Sequence, residues 1–363
     1  MKIFLSSIVY VSVCFFASSL TVHSQPLSNK TTTQTKGLFD NDSLLEITIS
    51  GNLRDLLNDR AETPQSHPVT VSYRQQDNTE ITVTAEGKTR GHFRKLKTNC
   101  LYPPLQIHFM QTDSLKLSVF KEQEKIKLVM PCQGDEYVIR EWLVYKLHNL
   151  VTPKSFRARL VKITMSDTKG KKSTAPFYGV FLEEEKQVAF RNNSIAISKK
   201  LEPGEVEQQP FLTMAVFEYL IGNTDWSVQY LQNIKLIAPD SNATPTAIPY
   251  DFDHAGLVDA PYAKPAEELL MNNVRQRRYR GYCVKDMRLF DSTVTLYNRI
   301  KNDVYATYIN CNLLDEKFKK TALRYLDEFY VTINNPDKMK KEFQYPCDKT
   351  GTGNVVIKGL REE

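Results

Sequence analysis

The spacing of apolar residues changes partway along this chain, and that change limits the possible folds more than any other feature. Up to about residue 131 the apolar residues either alternate or run together in short stretches. These are LLEITIS (44–50), VTVSYR (69–74), ITVTAEGKTRG (81–91), LQIHFM (105–110) and KIKLVMP (125–131). Such runs read as strands buried on one face or both. EYVIREWLVYKLHNLV (136–151) then places Val138, Trp142, Tyr145 and Leu150 near helical spacing, and Pro153 ends the helix. RLVKITMSD (159–167) and FYGVFLEEE (177–185) read as an antiparallel pair around TKGKKSTAP, and IAISKK (195–200) adds a strand. Helices dominate afterwards. QQPFLTMAVFEYLIG (208–222) is an apolar helix with Gly222 as C-cap. Residues 264–343 give about four helical segments, of which TALRYLDEFYVTI (321–333) is the most clearly amphipathic. Between these helices, IKLIAP (234–239) and TAIPYDFD (246–253) bracket the turn SNATP as a small hairpin.

The expected class is α+β: a bilobal, protein-kinase-like outline with a β-rich N-terminal lobe (41–200) and a helical C-terminal lobe (201–350), followed by a tail at 351–363. Many α+β folds share so loose an order. The N-terminus reads as a secretory signal peptide over 1–24. Lys2 precedes an uncharged, mostly apolar run, and Val22, His23 and Ser24 stand before Gln25. A Thr/Gln/Ser-rich stretch at 25–40 follows as a flexible leader. Export to the periplasm, the cell surface or the medium is the consequence, with no transmembrane segment after cleavage. Five cysteines then remain, without a CxxC pair, which argues against a zinc ribbon. The expected disulfides are Cys100–Cys132 and Cys283–Cys347, although spacing alone does not fix connectivity. The net charge of +6, from 48 basic and 42 acidic residues, is too balanced for a nucleic-acid binder. An anionic small ligand fits as well. The basic run RQRRYR (275–280) reads as a solvated face, or as a site for an acidic partner or glycan.

The stretch IPYDFDHAG (248–256) ends an apolar strand in two carboxylates. An acid in that position must be solvated or paired. Phosphoryl transfer supplies one reason for such an arrangement. It needs a carboxylate for the acceptor hydroxyl, an Asn and an Asp on metal ions, and a Lys on the phosphates. Asp225, Asn233 and Asp251 occur in that order around a buried helix and a short hairpin. Taken singly, Asp225 could cap a turn, Asn233 could be a turn residue and Lys127 could be the solvent side of a strand. HExxH, GxSxG and GxxxxGK[ST] are absent.

GNTDWSVQYLQNIKLI followed by IPYDFDHAG resembles the spore-coat CotH kinase-like family of atypical secreted or surface kinases. AEGKTRGHFRK, KIKLVMPCQGDEYVIREWLVYKL and FYGVFLEEE are similar to earlier family segments, so the resemblance covers roughly residues 80–260. Two departures stand out. The Asp225-to-Asn233 spacing is longer than in ordinary protein kinases, and His92 and Phe93 stand where the family carries a tryptophan. The resemblance implies that Asp225 orients or deprotonates the acceptor hydroxyl, and that Asn233 and Asp251 hold Mg²⁺ or Mn²⁺. It makes Asp253 either a further metal ligand or a hydrogen-bonding anchor of the loop. It also implies that Lys127 or Lys88 touches the phosphates of ATP as co-substrate, with Glu141 as ion-pair partner. Arg90 would bind phosphate, and Glu183 or Glu184 would lie near the nucleotide cleft. The implied partners are a nucleotide and a protein or glycan acceptor, and no nucleic acid. ATP is scarce outside the cytoplasm, so two alternatives stand beside the kinase: a non-catalytic surface or periplasmic binding module, and a metal-dependent phosphoesterase using Asp225, Asp251 and Asp253.

Overall fold

The computed structural model describes residues 36–348. The expected signal peptide, the leader up to residue 35 and the tail at 351–363 lie outside the described residues. The elements run β1 (Leu45–Gly51), α1 (Leu53–Asn58), β2 (His67–Arg74), β3 (Glu80–Thr89), β4 (Leu105–Phe109), α2 (Asp113–Lys116), β5 (Lys125–Val129), α3 (Asp135–Val151), β6 (Ala158–Asp167), β7 (Lys172–Ser173), β8 (Phe177–Leu182), α4 (Glu185–Arg191) and β9 (Ile195–Ile197). They continue with α5 (Gln208–Ile221), β10 (Ile234–Ala238), β11 (Thr246–Pro249), α6 (Asp291–Arg299), α7 (Lys301–Ile309), α8 (Glu316–Ile333) and α9 (Pro336–Phe343). The architecture is mixed α+β, sheet-rich first and helical in its C-terminal part.

The sheet does more than form a layer. Its order is β1-β2-β3-β4-β5-β8-β6, and β1 also pairs in parallel with β6, from Leu45 opposite Val161 to Gly51 opposite Asp167. Seven strands therefore close into a barrel, with β7 flanking β6. Closure removes the edges that an open sheet leaves exposed. Alternate residues fill the interior, among them Ile49, Val71, Val83, Ile107, Leu128 and Phe181. Leu38 joins that core at 1% exposure, so the last residues of the expected leader belong to the fold. Gly37 to Asp40 closes a turn there through both backbone and side-chain bonds.

A second core lies outside the barrel. Val129, Leu160, Val180 and Leu182, on the outer faces of β5, β6 and β8, pack with α3, α5 and the C-terminal helices. α3 is buried nearly all round, on Val138, Leu143, Val144, Tyr145, Leu147 and His148, rather than on one stripe. Leu150, expected inside, is 36% exposed. α5 ends at Gly222, whose φ of 70° is left-handed; an added Cβ there would run into the Tyr325 hydroxyl. β10 and β11 form the expected hairpin, Ile234 opposite Pro249, and β9 extends it to three strands. The four helices expected over 264–343 are α6 to α9, but they begin only at Asp291. Residues 254–290 are irregular apart from 3₁₀ turns.

Both expected disulfides are present, Cys100–Cys132 and Cys283–Cys347, with Cys311 a free thiol. RQRRYR is a set of internal staples and not a solvated face. Arg277 donates to the carbonyls of Tyr219 and Leu220, Arg278 to the Tyr345 hydroxyl, and Arg280 to the Thr224 carbonyl at 2.6 Å; Arg275 pairs with Asp259. Among the described residues no helix is long and apolar enough to cross a membrane.

Candidate functional site

The end of β11 meets the outer face of β5 and one face of α3. Phe252 is fully buried, with its ring 4.8 Å from Tyr145 and 5.7 Å from Phe217. Driving this one ring into the core leaves its two neighbours, Asp251 and Asp253, to find polar partners. Asp251 is left-handed at φ 64°, as is Asn233 at φ 50°. Non-glycine residues in that region are uncommon and cluster at functional positions. Gly256 is needed two residues past His254: its N–H donates to the Gly222 carbonyl, and a Cβ would strike the Val274 carbonyl.

α3 presents Glu141, Tyr145 and His148 at the helical spacings that share a face. The Asp251 N–H donates to the Tyr145 hydroxyl at 2.9 Å, and His148 meets the Phe252 ring edge-on at 6.1 Å. From β5, Lys127 reaches the Asp251 carboxylate at 3.3 Å, with its ammonium 5.6 Å from the Tyr250 ring centroid. Burial pushes the Asp251 carboxyl up, but Lys127, Arg94 and Arg90 together outweigh it and hold the group down at about 2.

Asp253 belongs to a second ion-paired set. Arg94, from the turn after β3, lies 2.7 Å from Asp253 and 3.1 Å from Glu141, and also donates to the Tyr262 hydroxyl at 2.9 Å. Tyr262 in turn donates to Asp253. Burial pushes Glu141 up, to about 7, against the pull of Arg94, and one of its oxygens is buried without a partner. The expected pairing of Glu141 with a lysine is therefore replaced. Arg94 takes Glu141, and Lys127 is drawn to Asp251.

Asp225 lies on the loop after α5. Its N–H donates to Asn223 Oδ1 at 3.0 Å, and Asn233 Nδ2 donates to both its carbonyl, at 2.8 Å, and its carboxylate, at 3.0 Å. Burial raises the Asp225 carboxyl pKa, His254 pulls it down, and Asp253 and Asp251 raise it further. Arg280, fastened to the Thr224 carbonyl, backs the same loop. Trp226, next to Asp225, is buried in the core.

Two expected residues stand apart. Lys88 is on the same outer face as Lys127, with Gln106 of β4 in register between them. It is thus two strand spacings away, about 10 Å. Glu183 is displaced by strand parity. Leu182 is in register with Lys127, so the next side chain points to the opposite face. There Glu183 is fully buried, pairing with Arg157 at 2.9 Å and Arg191 at 3.0 Å, which makes it an internal anchor. Glu184 pairs with Lys125. Arg90 is half-buried just beyond β3, its N–H on the Pro104 carbonyl, and lies within electrostatic reach of Asp251. Arg94, Tyr145, Tyr262 and Arg280 were not among the site residues expected from sequence.

Among the described residues no group of three or more His, Cys, Asp and Glu side chains is arranged to hold a metal ion by itself. Mg²⁺ is commonly held by one or two protein ligands plus substrate phosphates. Asp251, ionised and across the hairpin from Asn233, fits that mode, and the Asn233 Oδ1 is not used in the bonds to Asp225. Asp253 accepts from Arg94 and Tyr262 on its Oδ2, the contacts expected of a hydrogen-bonding anchor of the loop.

No family model matches the chain, and no curated protein matches it. Among solved structures it is similar to the crystal structure of a Helicobacter pylori proinflammatory kinase, CtkA. The similarity has 12% identity and a TM-score of 0.38, over 66% of this chain and 91% of that one.

Proposed function

We propose that the chain is an exported, CotH-like atypical kinase on a bilobal, kinase-like plan, moving a phosphoryl group from a nucleotide to a hydroxyl of a protein or glycan. The observation that carries this reading is the meeting of Lys127 and Asp251 beside the Asp225–Asn233 pair. Arg94, Glu141 and Asp253 brace the same loop. Asp251 and Asn233 would hold Mg²⁺ or Mn²⁺, which when bound offsets the charge of the phosphates. Lys127 and Arg90 would carry the remaining phosphate charge. The acceptor oxygen bonds to the terminal phosphorus, the bond from that phosphorus to the bridging oxygen breaks, and the nucleoside diphosphate leaves. The hydroxyl proton passes to Asp225, whose raised pKa brings it nearer the range useful to a base.

One observation favours a second reading, a binding module without catalysis. The acidic groups are already neutralised from within, Asp251 by Lys127 and Asp253 by Arg94. A thermal-shift titration with ATP, with and without Mg²⁺ or Mn²⁺, separates the two. Metal-dependent stabilisation of the wild type, absent in Asp251→Ala and Lys127→Met, supports the kinase and leads to phosphotransfer assays. No shift with any nucleotide and metal overturns it in favour of the binding module.

A further inference from the structure

From Gly87 to Thr112 the chain carries no acidic residue, while it holds Lys88, Arg90, Arg94, Lys95 and Lys97. Arg94 is consumed by Asp253 and Glu141. Lys97 is exposed, and the Lys95 ammonium bonds to the backbone carbonyls of Ala61 and Glu62 and to no carboxylate among the described residues. On the same turn three large apolar side chains face solvent: Phe93 at 42%, Leu96 at 51% and Leu101 at 71% exposure. Exposed apolar groups on a loose loop would mean little, but this turn is held at several points. Arg60 donates to the carbonyls of Lys95 and Cys100, Asn99 donates to that of Phe93, and Cys100 is bridged to Cys132 just ahead of α3. The turn also adjoins the site, with the Phe93 ring 6.2 Å from His254 and 5.7 Å from Tyr262.

A fixed, basic, apolar-tipped surface loses little conformational freedom when a partner binds. Its charge suits an acidic chain, and its leucines suit a chain with apolar side chains. We infer that the turn between β3 and β4 is a docking surface for an acidic protein segment that contains apolar residues. The inference deepens the phosphotransfer reading by making that segment the acceptor, and it rests on that reading only for the word acceptor. A glycan polyanion would match the charge and leave the leucines unused.

The test is fluorescence anisotropy of the full chain with a labelled random Glu/Tyr copolymer, beside a Lys/Tyr copolymer and heparin. The Glu/Tyr copolymer should bind, the Lys/Tyr copolymer should not, and heparin should bind more weakly. Leu96→Ser/Lys97→Glu, and separately Leu101→Ser, should weaken copolymer binding, the double variant by about tenfold, with unchanged unfolding midpoints. Asp251→Ala should bind the copolymer as the wild type does, so a failed nucleotide site would not be mistaken for a failed docking surface. Unchanged copolymer binding in the turn variants, or heparin binding as tight as the copolymer, overturns the inference.

Discussion

Arg94 is the residue on which the site's internal balance depends. It bridges two carboxylates from distant parts of the chain, and its side chain is only 10% exposed. Removing one member of such a set strands the others, at a cost of about 3–5 kcal/mol. Arg94→Met should therefore lower stability by about that much in urea unfolding at neutral pH. Adding Asp253→Asn and Glu141→Gln to Arg94→Met should recover a large part of the loss, because no uncompensated charge then stays buried. A triple variant no more stable than the single would show that packing around Arg94, and not charge, carries the effect. Asp251 was legible in the sequence because an acid ending an apolar strand demands a partner. Arg94 was not legible. In HFRK nothing local distinguishes a buried arginine from a solvated one, and its partners lie 47 and 159 residues away.

At the scale of elements, α3 ties the barrel to the site, and its His148 gives that role a pH signature. Burial, with Arg191 adding to it, depresses the His148 pKa to about 3, and its ring stacks on Phe217 at 4.5 Å. An unfolded histidine titrates near 6.5. As pH falls below 6.5 the unfolded chain takes up this proton first. The contribution of neutral His148 is thus complete above pH 6.5 and is lost between there and about 3. The slope is about 1.4 kcal/mol per pH unit. His148→Phe keeps a ring against Phe217 and should flatten the acid limb, so that its stability relative to wild type improves steadily from pH 6 to pH 4. A difference that does not vary with pH would remove His148 as the cause. The long strands and helices were legible from their periods to within a few residues. α1 and α2 were not, because at six and four residues they are too short to show a period. RQRRYR was misread for a related reason: charge in a sequence says nothing of where a carbonyl waits to accept it.

For the molecule as a whole, the feature that period could not reveal is closure. Alternation says which side chains share a face, but not which strand lies alongside. β1 and β6 are separated by more than a hundred residues, and their parallel pairing is the step that turns a sheet into a barrel. It also fixes where the site stands. With the interior filled by its own core, α3 and the hairpin join a second core built on the outer face of β5, β6 and β8. Closure has a direct signature in amide exchange. In an edge strand every second N–H points to solvent and exchanges quickly, whereas in a strand paired on both sides none does. β1 pairs with β2 on one side and β6 on the other. The amides of Glu46, Ile47, Thr48, Ile49 and Ser50 should therefore all be protected, to a similar degree as those at the centre of β3. Protection at alternate positions only would mean that β1 is an edge and the sheet is open, and the face that receives α3 would then have to be reassigned.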